Sequence, residues 1–314
     1  MEKRVTFQSG EFTLAGVLHV PEGLSPGERR PGIIVLHGFG GNKEGPPHVG
    51  ECRLHESLGY VALRFDMRGC GESGGAKGRV LCEEQVQDTA SAVTWLGQQD
   101  FVDPGAIVVS GQSNGGAVAI YSGAMDPRVA AVISIGGWGD RARKLEWQNR
   151  ADGAWERLLR LMQEGRDLRE RTRETLMIKR WDIVPVPESI RHLLPPGCVM
   201  DFPVDTPQSI YDFRPEEVAA RIAPRPFLIV HGANDSVTHV FEAIRLFQAV
   251  EGKAEMAILK GDHFPFVEPD PLLDGVVAQW LARNVPIAAT KSPSSETLDP
   301  PPTEPTNRIH QPTP

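Results

Sequence analysis

The sequence predicts an α/β protein: a doubly wound, mostly parallel eight-stranded sheet with a helical cap insertion. Three observations carry this expectation. Short Val/Ile-rich runs recur without a polar alternate face, as strands covered on both sides by helices require. Segments of helical periodicity stand between those runs, and such alternation joins parallel strands by crossovers. The alternation breaks once, between residues 138 and 215, where no strand pattern is legible.

In chain order, residues 5–7 and 12–19 flank Ser9-Gly10 and read as an opening hairpin. Runs 32–37 (GIIVLH) and 60–65 (YVALRF) read as buried strands, followed by a helix over 83–98. Strand 106–110 (AIVVS), a helix over 113–125 and strand 129–135 (VAAVISI) come next. After the break the pattern resumes with strand 227–231 (FLIVH), helix 240–250, strand 254–259 and helix 271–282. Within the break, residues 140–180 are dense in Arg and Glu, with Trp147, Trp155, Leu158, Leu159 and Leu161 spaced for amphipathic helices. Pro185, Pro187, Pro195, Pro196, Pro203 and Pro207 then mark a proline-rich loop. Lying between two sheet strands, the segment is expected over the sheet's carboxyl edge, where open α/β sheets bind ligands. Residues 288–314 hold seven prolines among Ser, Thr, Asn and Glu. That composition does not offset its ordering entropy by burial and reads as a disordered tail. The expected division is therefore 1–137 with 216–287 for the sheet domain, 138–215 for a cap or lid, and 288–314 for the tail.

The 314 residues carry 33 basic and 41 acidic side chains, a net charge of -8 and a pI near 5.6. This balance argues against nucleic acid or an anionic membrane as the main partner. No uninterrupted apolar run approaches the roughly 20 residues that span a bilayer, and the first residues lack the apolar stretch of a secretion signal. The expectation is a soluble, cytoplasmic protein; no oligomeric state is assigned. Cys52, Cys70, Cys82 and Cys198 show neither CxxC spacing nor a histidine set at zinc-ligand intervals. Free buried thiols and no metal site are expected.

The strongest chemical signal is Gly111-Gln112-Ser113-Asn114-Gly115-Gly116, directly after one strand and before a helix of small residues. A serine in Gly-x-Ser-x-Gly at a strand-to-helix turn sits on a tight elbow that presents its hydroxyl above the sheet. Serine is a weak nucleophile at neutral pH, so it needs a base, and the base needs an orienting carboxylate. Asp235 follows the strand 227–231, and His263 follows the strand 254–259, both at strand ends and in the order Ser, Asp, His. Asp262 is adjacent to His263 and so poorly placed to aim at it; His231 lies in a strand end and reads as packed. His19, His48, His55, His192, His239 and His310 stand in no motif and read as surface or structural. An acyl-transfer site also requires two amide donors for the oxyanion. Asn114, after the nucleophile, and Phe39, in the glycine-rich His37-Gly38-Phe39-Gly40-Gly41 loop, are the candidates.

These pieces, with Asp66-Met67-Arg68-Gly69-Cys70-Gly71-Glu72-Ser73 and Val102-Asp103-Pro104, resemble the α/β-hydrolase superfamily over about residues 5–283. Within it they are similar to dienelactone-hydrolase-like and cinnamoyl-esterase-like carboxylesterases and, more distantly, to prolyl-oligopeptidase-type peptidases. Dienelactone hydrolases proper use a cysteine where this chain has Ser113; the fold's dehalogenases and epoxide hydrolases use an aspartate there. The resemblance implies an α/β-hydrolase fold, a serine carboxylesterase acting on a small-molecule ester without a cofactor, and a structural, ion-paired role for Asp66 or Arg68. An amidase or peptidase with the same triad, or a catalytically silent binding protein, are the alternatives. The insertion's aromatic residues, Trp138, Trp181, Phe202 and Tyr211 foremost, are expected to line the substrate pocket, and its arginines to form a solvated, ion-paired face rather than to meet an anionic substrate.

Overall fold

The computed structural model describes residues 1–268 and 270–288; the expected tail lies, apart from its first residue, outside the described residues. The chain opens with β1 (Glu2–Ser9), β2 (Phe12–His19), β3 (Arg30–Leu36), α1 (Pro46–Ser57), β4 (Val61–Phe65), α2 (Cys82–Gly97), β5 (Val102–Gln112), α3 (Asn114–Met125) and β6 (Val129–Ile135). After β6 come α4 (Arg141–Gln148), α5 (Ala154–Thr172), β7 (Met177–Lys179), α6 (Arg180–Ile183), β8 (Asp201–Pro203), α7 (Asp205–Asp212) and α8 (Pro215–Val218). The chain then returns to the sheet with β9 (Phe227–Gly232), α9 (Phe241–Ala249), β10 (Glu255–Leu259) and α10 (Pro271–Asn284).

Eight strands form one sheet in the order β1-β2-β4-β3-β5-β6-β9-β10. The β1–β2 and β2–β4 pairs are antiparallel; every pair from β4 to β10 is parallel. Alternation along each strand sends its side chains to opposite layers. Ile34 and Leu36 of β3 pack with Ala92, Val93 and Leu96 of α2, Val118 of α3 and Leu246 of α9. Ile33 and Val35 join Cys52 of α1 and Leu273, Val277 and Trp280 of α10 on the other face. All of these side chains are nearly or fully buried, and each large one contributes about 1.5–3 kcal/mol of transfer free energy. Ends are fixed locally: the Asp270 carboxylate accepts from Leu272 N and Leu273 N at the start of α10, and Asp140 accepts from Arg143 N at the start of α4.

Three expectations are corrected. The helix α1 was not foreseen, because it opens on Pro46-Pro47 and turns His48, Glu51, Cys52 and His55 inward instead of an apolar stripe. The loop expected between residues 185 and 215 holds β8 and α7, and β8 pairs antiparallel with β7 through Met177–Pro203, Ile178–Phe202 and Lys179–Asp201. Strands of three residues carry too little pattern to be read. The elbow strand also begins earlier than residue 106: β5 starts at Val102 and shifts register against β3 at Pro31/Gly32. Among the described residues no helix is long and apolar enough to cross a membrane.

The turn after β4 carries the expected ion pairs. Asp66, fully buried, accepts from Lys43 N and Lys43 Nζ at 2.6 and 2.8 Å and from Glu72 N at 2.8 Å. Arg68 rests on Asp88, Nη2 to Oδ1 at 2.6 Å. These bonds fix the loop after β3 against the loop after β4, next to the site.

Candidate active site

The parallel strands β3, β5, β6, β9 and β10 end at one edge of the sheet, and the singled-out residues are on the loops that leave it. Ser113 joins β5 to α3 with φ 55° and ψ -118°, a conformation a non-glycine residue rarely adopts. It is held there: Ser113 N donates to Ile135 O at 2.8 Å, and Ser113 O accepts from Gly116 N at 3.0 Å. The flanking glycines are required by close approach. A Cβ on Gly111 would stand 2.2 Å from Gly115 O, and one on Gly115 would stand 2.4 Å from Leu36 O. The elbow is thereby pressed against the end of β3, and an added Cβ on Gly38 would be 3.4 Å from Ser113 Cβ.

Three side chains form a hydrogen-bonded line. His263 Nε2 lies 2.8 Å from Ser113 Oγ, and His263 Nδ1 lies 2.8 Å from Asp235 Oδ2. Asp235 Oδ1 accepts from Val237 N at 2.9 Å and from Thr238 N at 2.6 Å, so both carboxylate oxygens are engaged. Burial alone would raise the Asp235 pKa. The charge and hydrogen bond of His263, helped by His231 and the Thr238 amide, outweigh it and hold the carboxyl below its usual value. Gly136, φ +58°, backs this line; a Cβ there would sit 3.5 Å from Asp235 Oδ2. The rejected neighbours are engaged elsewhere. Asp262 Oδ1 accepts from Ser236 N at 2.8 Å and His263 N at 2.7 Å, and buried His231 bonds Thr238 O through Nε2 at 2.8 Å.

The loop after β3 is anchored by His37, whose Nε2 accepts from Met67 N at 3.1 Å, leaving Nδ1 to donate to Gly38 O at 2.9 Å. Phe39 stacks on Phe202 with ring centroids 4.5 Å apart, and its carbonyl accepts from Arg180 Nη2 at 2.6 Å. Asn114, fully buried, donates through Nδ2 to Gln85 Oε1 at 2.9 Å. Both candidate amide donors therefore stand on fixed backbone beside Ser113. Below them, Glu51 of α1 accepts from Gln112 Nε2 at 2.6 Å and from the Ser110 hydroxyl, tying the base of the elbow to α1.

Ser113 and His263 face a cavity of about 50 Å³ walled by Phe39, His48, Gln112, Arg180, Val184, Val186, Leu193, Leu194, Val237 and Phe264, among others. A larger cavity of about 510 Å³ is lined by Asp235 and His263 together with Lys260, Asp262 and Glu268, and does not include Ser113. Of the two, the smaller one is lined by Ser113. Among the described residues no set of three or more His, Cys, Asp and Glu side chains could hold a metal ion; Cys52, Cys70, Cys82 and Cys198 are free thiols, the first three buried.

The comparisons with known proteins agree with this arrangement of elements. The family model described as X-Pro dipeptidyl-peptidase (S15 family) matches residues 53–265, a span holding β4 to β10 and all three members of the hydrogen-bonded line. The chain belongs to this α/β-hydrolase family. A thiohydrolase, aneE of Aspergillus aculeatus, is 37% identical over 133 residues, 41% of this chain and 41% of that protein; the chain thus spans about two-fifths of that relative's length. An acyltransferase, drtE of Aspergillus calidoustus, is 24% identical over 276 residues, 82% of this chain and 87% of the relative. Among solved structures, the α/β hydrolase GrgF from Penicillium sp. superposes with a TM-score of 0.75 at 22% identity, over 91% of this chain and 99% of that one.

Within this S15-family fold, the aromatic residues expected in the pocket do not line the cavity at Ser113. Trp138 and Phe202 are fully buried where the insertion meets the sheet domain; Trp138 meets Phe213 edge-on, and Phe202 takes the stack on Phe39. Tyr211 packs against Trp155, and Trp181 lies under the guanidinium of Arg191 at 4.4 Å. The insertion instead supplies aliphatic wall residues, Val184, Val186, Leu194 and Pro195 from irregular chain and Leu193 from the end of a short 3-10 helix, Glu188–Leu193. Two polar wall residues were also missed. His48 read as surface or structural and is 6% exposed at the cavity wall. Arg180 read as one of many solvated arginines. Arg157 and Arg169 do pair with Asp182 and Asp205 at the surface, but Arg180 is 4% exposed.

Proposed function

We propose that this protein is a serine hydrolase of carboxylic esters. The observation that carries the reading is the continuous line from Asp235 through His263 to Ser113, with the Ser113 hydroxyl at the wall of a cavity. In the proposed cycle His263 Nε2 takes the hydroxyl proton as Ser113 Oγ attacks the acyl carbon, and Asp235 steadies the imidazolium that results. The carbonyl oxygen becomes an oxyanion, stabilised by the Phe39 and Asn114 amides and by the N-terminus of α3. Collapse expels the alcohol, which takes its proton from His263. Water then attacks the acyl-enzyme, His263 removing its proton, and the acid leaves with Ser113 restored. The segment 138–215 acts as the cap of this site, because it supplies Arg180, Val184, Val186, Leu193 and Leu194 to the cavity wall.

The name of the thiohydrolase aneE favours a second reading, in which the acyl group arrives as a thioester. The same residues would serve, and a thiolate leaves with less help from His263. The test is turnover of matched p-nitrophenyl ester, thioester and anilide substrates by the wild type and by Ser113→Ala. The ester should be cleaved, and the variant should lose about 10⁴-fold or more while staying folded. Undiminished ester turnover by Ser113→Ala would overturn the assignment; preferred thioester or anilide cleavage would shift it to the corresponding leaving group.

A further inference from the structure

Arg180 opens α6 and lines the cavity at Ser113. Its Nη1 donates to Val199 O at 2.9 Å and its Nη2 to Phe39 O at 2.6 Å. Its Nε is buried and has no hydrogen-bond partner among the described residues. No described carboxylate stands within ion-pairing distance of it, unlike Arg64, Arg68 and Arg143, which are also largely buried and rest on Glu2 and Glu44, on Asp88, and on Glu216 and Glu242. Arginine stays protonated in proteins, and a desolvated cation without a counter-charge is costly. The remaining cavity walls supply none: they hold His48, Gln112, Ser113 and His263 among glycines, prolines, valines, leucines and phenylalanines, and no Asp or Glu. The space before Ser113 is therefore weakly polarisable, apolar on most sides, and carries one fixed positive charge. At about 50 Å³ it offers room for about three or four water molecules, so it suits a compact group.

Resting on the ester-hydrolase reading above, we propose that the site selects short acyl groups carrying a carboxylate, with Arg180 as the residue that binds it. The substrate class is the hemiester of a short dicarboxylic acid: the carboxylate meets the guanidinium, the carbon chain lies against Val184, Val186 and Leu193, and the ester carbonyl faces Ser113. A guanidinium with an unused Nε–H can take a carboxylate in a charge-assisted, two-point contact, and the dry surroundings strengthen it. A purely bracing role, in which Arg180 only ties the loop of Phe39 to Val199, makes a different demand: its loss would weaken turnover of every substrate alike.

The experiment compares kcat/KM for monoethyl succinate and its neutral isostere ethyl succinamate. Wild type should prefer the anionic ester by at least about tenfold. Arg180→Gln should bring the ratio of the two kcat/KM values to about one, whatever the lost bond to Phe39 O costs both esters in common, and Arg180→Lys should keep part of the preference. Equal kcat/KM for the two esters in wild type overturns the proposal even if Arg180→Gln fails to fold. So does an equal loss on both esters in a folded Arg180→Gln. Because the neutral ester still reports Ser113 chemistry, its cleavage without a preference refutes the anion site alone. If neither ester is turned over, the hydrolase reading fails, and calorimetric titration with succinate reads Arg180 directly. Binding by wild type that is lost in Arg180→Gln supports the site; absence of binding overturns it.

Discussion

The elbow makes a stability prediction that separates strain from chemistry. Ser113 is held at φ 55° and ψ -118°, a region open to glycine and costing other residues about 1–3 kcal/mol. Ser113→Ala and Ser113→Gly both remove the Oγ that bonds His263 Nε2; they differ only in the Cβ that makes the backbone strained. Glycine gives back about 0.5–1 kcal/mol through the greater entropy of its unfolded chain. The balance leaves Ser113→Gly about 1 kcal/mol more stable than Ser113→Ala, or about 2–4 °C in melting temperature for a domain of this size. Thermal unfolding of the two inactive variants side by side measures it. An alanine variant that melts at or above the glycine variant would refute the claim that the fold stores strain at this residue.

Three further outcomes are expected. Asp235→Asn should fold and lose about 10⁴-fold in turnover, because the imidazole of His263 loses its orienting carboxylate; near-normal ester turnover in that variant would remove Asp235 from the mechanism. Arg143, on α4, bonds Glu216 at 2.8 Å and Glu242 at 2.7 Å, and Glu242 is 4% exposed. Arg143→Ala should therefore cost about 1–3 kcal/mol in denaturant unfolding by stranding a buried carboxylate; adding Glu242→Gln should restore part of that, and a cost unchanged by the second substitution would contradict the pairing. Burial first, then the charges of His37 and Arg64, push the His48 pKa from 6.5 down to about 3. Between those values the unfolded chain binds a proton at His48 that the folded chain does not, so stability falls as pH drops below 6.5. From pH 7.5 to pH 5 the loss amounts to about 2 kcal/mol. Urea unfolding of wild type and His48→Gln at both pH values should show it as a difference in slope, and parallel pH dependences would contradict it.

What was legible in the sequence follows from what local pattern encodes. The strands of the sheet are covered by helices on both faces, so Ile33, Ile34, Val35 and Leu36 are all buried and the run appears as continuous apolarity. Gly-x-Ser-x-Gly was legible because Gly111 and Gly115 answer steric demands made within a few residues and at the end of β3. The positions of Asp235 and His263 were legible as strand ends. Their distances to one another belong to the tertiary fold. The inner face of α1 was not legible, since His48, Glu51 and His55 are buried by neighbours far along the chain and carry no apolar period. The cavity wall was not legible either: Val184, Val186 and Leu194 come from irregular chain and Leu193 from the end of a short 3-10 helix, and nothing local separates the buried Arg180 from the solvated arginines before it. The bulky aromatics expected in the pocket pack instead where the insertion meets the sheet domain, in a cluster that also holds Phe39, Cys70, Val80 and Ala117.

The central claim is that Ser113 is a nucleophile activated by His263. Intact-mass and peptide analysis of the native protein treated with a fluorophosphonate tests it most directly, because the reagent forms a stable phosphonyl ester with an activated serine and releases fluoride. One adduct per chain, located on Ser113 and lost in Ser113→Ala and His263→Ala, is the expected result. A folded wild-type protein that takes up no adduct, or an adduct that persists in Ser113→Ala, would contradict the account.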